Sequence, residues 1–201
     1  MNPNKTENYT INKNCDGKWK KCKMLGSLLD TQEDIKRRKV LAMDAIKTQK
    51  KAFTSKKLSV KTKSKLFTSY IDSIFLYNSE IWTINKTTEG KIDSFQRRLL
   101  RRYVLNISWP KIIKNDDVYT RTQQLPWSCK IKSRRLNWFG HLMRLDDRTP
   151  AKRAYEYVKK PKQRGPGRPP LNWTTMMNTQ LENLSAQIAQ SVACPSLIRD
   201  H

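Results

Sequence analysis

Apolar residues return at intervals of three and four along most of this chain, and that period, rather than the alternation of a strand, is what the sequence offers for building a core. Ile35, Ala42, Met43 and Ile46 form one stripe. Phe67, Tyr70, Ile71, Ile74, Phe75 and Ile81 form a wider one, and Ile92, Phe95, Leu99 and Tyr103 a third. Ile131, Trp138, Phe139 and Leu142, with Leu145 at the edge, make a fourth, and Trp173, Met177, Leu181, Leu184 and Ile188 a fifth. The expected fold is mainly α-helical, a bundle with one small β-hairpin at its start and a separate helix at its end.

Local signals set the boundaries. Residues 1–8 are polar and read as disordered. Tyr9-Thr10-Ile11 and Trp19 to Leu25 flank the turn-forming cluster Asn14-Cys15-Asp16-Gly17, so residues 9–29 read as a β-hairpin. Asp30 and Thr31 offer N-cap oxygens, with Glu33 and Asp34 at the positive end of the helix dipole, and open the helical region 30–158. A second helix is expected from Ser59 to Trp82 and a third from Thr87 or Thr88, broken over residues 106–114. A short helix follows Asn115 and ends near Leu125-Pro126, another runs from Trp127 to Arg144, and Thr149-Pro150 caps a third over Ala151 to Val158. Residues 159–170 carry cations, glycines and four prolines, a composition of linkers. The last helix and a frayed tail occupy 171–201.

Charge narrows the partner. Lys and Arg number 41 against 17 acidic residues, a formal net charge of +24, and such an excess calls for a polyanion. No apolar run approaches the roughly 20 residues that span a bilayer, and no signal-peptide stretch opens the chain. RNA or DNA, not a membrane, is therefore the expected partner. Four cysteines at 15, 22, 129 and 194 are too scattered for a disulfide framework, which points to a reducing, intracellular setting. His141 and His201 are the only histidines, too few and too distant from the cysteines for a patterned metal site.

The cations cluster on two helices. Arg97, Arg98, Arg101 and Arg102 form two i, i+4 pairs of like charge, each unfavourable by a few tenths of a kcal/mol unless an anion offsets it. Lys130, Lys132, Arg134 and Arg135 decorate the helix at 127–144, and Arg164 and Arg168 sit in the linker. These ten are the candidate phosphate contacts; a solvated helix face is the plainer reading. Trp138 and Phe139 have the chemistry to stack on unpaired bases, but their spacing fits a buried face better.

Several blocks, taken together, resemble one family. Cys22-Lys23-Met24-Leu25-Gly26-Ser27-Leu28-Leu29-Asp30 followed by Glu33-Asp34-Ile35-Lys36-Arg37-Arg38 is similar to the palm-to-thumb junction of LINE-type, non-long-terminal-repeat retrotransposon reverse transcriptases. Leu66-Phe67, Ser69-Tyr70-Ile71, Ser79-Glu80-Ile81-Trp82-Thr83, Phe95-Gln96-Arg97-Arg98-Leu99-Leu100-Arg101 and the block Arg135-Leu136, Trp138-Phe139-Gly140-His141-Leu142 and Arg144 resemble its later blocks in order. So do Arg164 to Pro170 and Trp173, which carries the resemblance over residues 9–184. The family has aromatic residues where this chain has Cys22 and Met24. The resemblance implies a thumb-like bundle that grips template and primer in the nucleus, joined to upstream palm and fingers domains. It also implies that Leu25 and Gly26 lie beside the primer terminus; a purely structural turn accounts for them equally well.

Polymerase chemistry itself needs carboxylates holding two magnesium ions about 3.5–4 Å apart. The family's aromatic-Ala-Asp-Asp tetrapeptide is missing, and Asp116-Asp117 and Asp146-Asp147 read as helix-start and loop charges. No cofactor is expected in this chain, with Mg2+ belonging to the parent polymerase, and no enzyme activity is expected of the chain alone. Three alternatives stand beside that reading: an active polymerase of which this is a fragment, a stand-alone basic RNA- or DNA-binding protein, and a degenerate element copy without function.

Overall fold

The computed structural model describes residues 23–108, 110–159 and 171–193. The expected disordered start, the Tyr9–Ile11 arm and its turn at 14–17, most of the basic linker with Arg164 and Arg168, and the frayed tail all lie outside those residues.

The described chain is mainly helical, with a hairpin at its start. Strands β1 (Lys23–Met24) and β2 (Ser27–Leu28) pair antiparallel, Lys23 opposite Leu28 and Met24 opposite Ser27. Leu25 and Gly26 make the turn at φ 46° and 84°, the paired left-handed geometry of a tight two-residue hairpin. Glycine adopts it freely, whereas Leu25 is strained there. Side chains hold the turn in place. The Tyr77 hydroxyl donates to the Leu25 carbonyl at 3.0 Å, and Arg37 and Arg38 donate to that of Gly26 at 2.6 and 2.8 Å.

Helix α1 (Thr31–Thr48) starts where its cap predicts, with Asp30 accepting the Glu33 amide, and a short α2 (Lys50–Thr54) follows. Next, α3 (Val60–Leu66), capped by Ser59, runs through a π-helical stretch, Phe67–Asp72, into α4 (Ser73–Phe75). This helix stops well short of Trp82. Asn78 takes a left-handed conformation, a 3-10 turn covers Ser79–Ile81, and the reversal carries Trp82 into the core. Tyr70, on the outer face of the π-helical stretch, and Ile81, in the turn, belong to the apolar stripe by spacing but are exposed, while Phe67, Ile71 and Phe75 are fully buried.

Helix α5 (Lys86–Leu99) is capped by Asn85, whose side chain accepts the Thr88 amide at 2.8 Å, a position slightly earlier than Thr87 or Thr88. It continues as a second π-helical stretch, Leu100–Val104. After α6 (Asn115–Thr122), α7 (Trp127–Arg144) matches its sequence boundaries at both ends, and α8 (Pro150–Lys159) and α9 (Trp173–Ala193) complete the chain.

One core unites α1, the α3–α4 helix, α5, α6 and the start of α7. At its centre Trp127 stacks on Phe75 with ring centroids 4.0 Å apart, flanked by Phe67, Phe95 and Trp82. The far end of α7 meets the last two helices through Phe139, whose ring lies 5.9 Å from that of Tyr155 and 6.4 Å from that of Trp173; Leu142, Tyr155 and Met177 on these helices are buried. Helix α9, set apart in the sequence by its linker, is therefore docked. Trp173 donates its indole N–H to the Glu80 carbonyl at 2.8 Å, and Gln180 donates to that of Lys132 at 3.1 Å. Trp138, expected inside, remains 37% exposed against His141. Among the described residues no helix is long and apolar enough to cross a membrane.

Candidate nucleic-acid interface

Two buried carboxylates position the elements that carry the cations. Asp34, one turn into α1, accepts the Leu28 amide at 3.1 Å on one oxygen and the Trp82 indole N–H at 3.0 Å on the other. Arg38 lies 3.7 Å away, its guanidinium over the Tyr77 ring. Hairpin, α1 and the turn before α5 are thus tied through one side chain. Asp72, in the π-helical stretch before α4, accepts the Trp127 indole N–H at 2.7 Å and an ammonium hydrogen bond from Lys130. That pair joins α7 to the α3–α4 helix.

The candidate cations of α7 all have partners within the fold. Lys130 is shared between Asp72 and Gln124, and Lys132 pairs with Glu89 at 2.9 Å. Arg134, though exposed, donates to the Leu76 carbonyl at 2.6 Å, closing the end of α4. Arg135 is buried and donates to the Trp82 carbonyl at 3.1 Å and to Gln180. Burial pulls its pKa down, opposed by Glu89, yet a guanidinium keeps its charge at neutral pH. All four act as braces within the fold.

The arginines of α5 and its π-helical extension divide into two pairs. Arg97 reaches the Tyr119 hydroxyl at 3.4 Å, and Arg101 holds the Ile113 carbonyl and the Asn115 side chain at 3.2 and 2.7 Å. These two fasten α6. Arg98 and Arg102 point outward instead, their guanidinium carbons 5.3 Å from the Phe95 ring centre and 5.7 Å from that of Tyr103. Among the described residues neither lies within ion-pair distance of a carboxylate.

Two further cations stand near Arg98. Lys39, on the expected cationic face of α1, has its ammonium 5.6 Å from the Phe95 ring, on which Arg98 also lies. Burial lowers its pKa first, then the neighbouring Arg98 and Lys91. Nothing in the sequence singles out Lys91, because its closeness to Lys39 arises only once α5 packs on α1. Leu25, 88% exposed, crowns the hairpin turn, and Gly26 beneath it serves the fold through its carbonyl. Asp116 and Asp117 occupy the first turn of α6, and Asp146 accepts the Arg148 amide in the turn after α7.

The chain is 27% identical over 148 residues to a putative uncharacterized transposon-derived protein of Caenorhabditis elegans, an alignment covering 72% of this chain and 52% of that protein. It spans about half the length of the curated relative it matches. No family model and no solved structure matches it.

Proposed function

We propose that this chain is the nucleic-acid-gripping part of a retroelement-encoded RNA-directed DNA polymerase, a helical thumb and C-terminal region that binds template and primer by their phosphates. The similarity to a transposon-derived protein supports the element as its source. The ordered blocks from Cys22 to Trp173 support the polymerase. In this reading catalytic carboxylates and Mg2+ belong to an upstream palm, the chain alone extends no primer, and its place of work is the nucleus.

The observation that carries the proposal is the outward pair Arg98 and Arg102. Two guanidiniums one helical turn apart, resting on aromatic rings and without carboxylate partners among the described residues, suit a row of phosphates. Phosphate binding offsets their mutual repulsion and releases condensed counterions. The hairpin tip at Leu25 fits beside the primer's sugars, an apolar contact held steady by the bonds on its turn.

The test is fluorescence anisotropy with a labelled RNA–DNA hybrid and the double variant Arg98→Ala, Arg102→Ala. Affinity is expected to fall about tenfold, and the dependence of log K on log salt to flatten by nearly 2, close to one for each phosphate no longer neutralised. An unchanged affinity and slope overturns the assignment of this face.

A further inference from the structure

Between α1 and α5 runs an open groove of about 540 Å3. Its two walls are single helix faces: Lys39, Val40, Met43, Asp44 and Lys47 recur at helical spacing on α1, and Lys91, Ser94, Phe95 and Arg98 do so on α5. Its apolar lining is Met43 and the nearly buried Phe95, with Val40, 60% exposed, at the lip. The rims are cationic on both sides. Asp44 is the one acid among the lining residues and lies 3.6 Å from Lys47, leaving Lys39, Lys91 and Arg98 without a carboxylate partner among the described residues.

We infer that this groove holds one strand of unpaired polynucleotide, its phosphodiesters between the two cationic rims and its sugars or bases on the apolar side chains of Val40 and Met43. The inference rests on the nucleic-acid reading above and adds to it a strand form and a site. Three features select that occupant. First, among the described residues unpaired cations stand on both sides, Lys39 on α1 facing Lys91 and Arg98 on α5, which are about 10 Å apart along their helix at 1.5 Å per residue. A strand lying between them meets positive charge on both flanks. Second, a groove of about 540 Å3 has no room for a duplex, a body wide enough to take a whole α-helix into one of its own grooves. Third, an apolar lining between cationic walls is the combination by which single-strand sites take bases of any sequence while tracking the backbone. Phe95 is only 6% exposed, so its role is to seat the Lys39 and Arg98 head groups and not to stack on a base.

Lys39 sharpens the case for an anion. Its folded-state proton is held less tightly than in the unfolded chain, for burial and the nearby Arg98 and Lys91 disfavour the ammonium. The charged side chain is therefore unfavourable to the fold at neutral pH, a penalty that lifts only as pH rises through its lowered pKa. A phosphate in the groove relieves the same repulsion at neutral pH.

The experiment compares the full chain with Lys39→Gln, Lys91→Gln and with Lys39→Arg, Lys91→Arg, using labelled oligo-dT and oligo-rU and, in parallel, the RNA–DNA hybrid. On whichever single strand binds more tightly, the Gln variant is expected to lose about tenfold in affinity. Its salt slope should flatten by about 1.4, two phosphates at roughly 0.7 each. The hybrid should lose about twofold, and the Arg variant should regain most of the single-strand affinity. Thermal melting of the Gln variant should stay level or rise, which separates lost binding from lost fold. Equal losses on hybrid and single strand, an unchanged affinity for single strands, or equal competition by polyglutamate of matched charge overturns the inference. Hybrid bound normally while single strands are ignored sinks this inference alone; an intact chain that binds no nucleic acid sinks both.

Discussion

Asp34→Ala is expected to lower the unfolding free energy by about 3–5 kcal/mol, the usual consequence of removing one partner from a buried charge pair. The carboxylate serves three groups at once: the Leu28 amide, the Trp82 indole N–H and, at 3.7 Å, the buried guanidinium of Arg38. Alanine strands all three. An unmet buried donor costs about 1–3 kcal/mol, and Arg38, whose Nε already has no hydrogen-bond partner, loses its counter-charge. Asp34→Asn keeps the shape and one acceptor oxygen, so it should cost distinctly less. Urea titration followed by far-UV circular dichroism measures both. A loss below about 1 kcal/mol for the alanine variant contradicts the view that Asp34 ties hairpin, α1 and Trp82 together.

Asp72→Ala is the second large effect, again about 3–5 kcal/mol by the same physics. Asp72 is buried beneath Trp127, whose indole N–H it accepts at 2.7 Å, and pairs with the ammonium of Lys130. Its loss leaves an unmet donor on the ring that stacks at 4.0 Å on Phe75, at the centre of the main core. A second variant separates charge from packing. Asp72→Leu combined with Lys130→Met removes both charges and keeps the bulk, and it should recover part of the loss, since replacing a buried ion pair with apolar groups is often close to neutral. Equal destabilisation by the single and the double variant, read from denaturation midpoints, shows that the Asp72–Trp127 hydrogen bond and not the ion pair governs the effect.

Much of this fold is written locally, and α7 shows how. Pro126 precedes its first residue, Arg144 is its last, just beyond Leu142 of the apolar stripe, and both limits follow from short-range chemistry. The starts of α1 and α8 are legible in the same way, from Asp30 and from Thr149-Pro150. The end of the α3–α4 helix is not, because a stripe that includes Ile81 continues the helical period on paper. What ends the helix is a tertiary preference: Asn78 tolerates the left-handed conformation, and the reversal gives Trp82 a carboxylate 48 positions back.

The candidate site was less legible for a related reason. A lysine or arginine in sequence reads as surface, yet long stems pack while the head group finds an acceptor. Asp72, Glu89 and the Leu76 and Trp82 carbonyls, which hold Lys130, Lys132, Arg134 and Arg135, lie 43 to 58 positions earlier, and among the described residues only Lys130 has a further acceptor close by in sequence, Gln124. Arg98 and Arg102 stand outside that pattern: the adjacent face of the same helix, through Arg97 and Arg101, is the one that α6 occupies. The Lys39–Lys91 proximity likewise exists only after α1 and α5 pack.

The most direct measurement is the affinity of the intact chain for an RNA–DNA hybrid across roughly 50 to 300 mM salt, conditions that span the steep region of counterion release. With Arg98, Arg102 and further exposed cations on phosphates, log K should fall against log salt with a slope of about −3 or steeper. Binding that is absent at low salt, or that persists with a flat slope, contradicts a phosphate-gripping role for this protein.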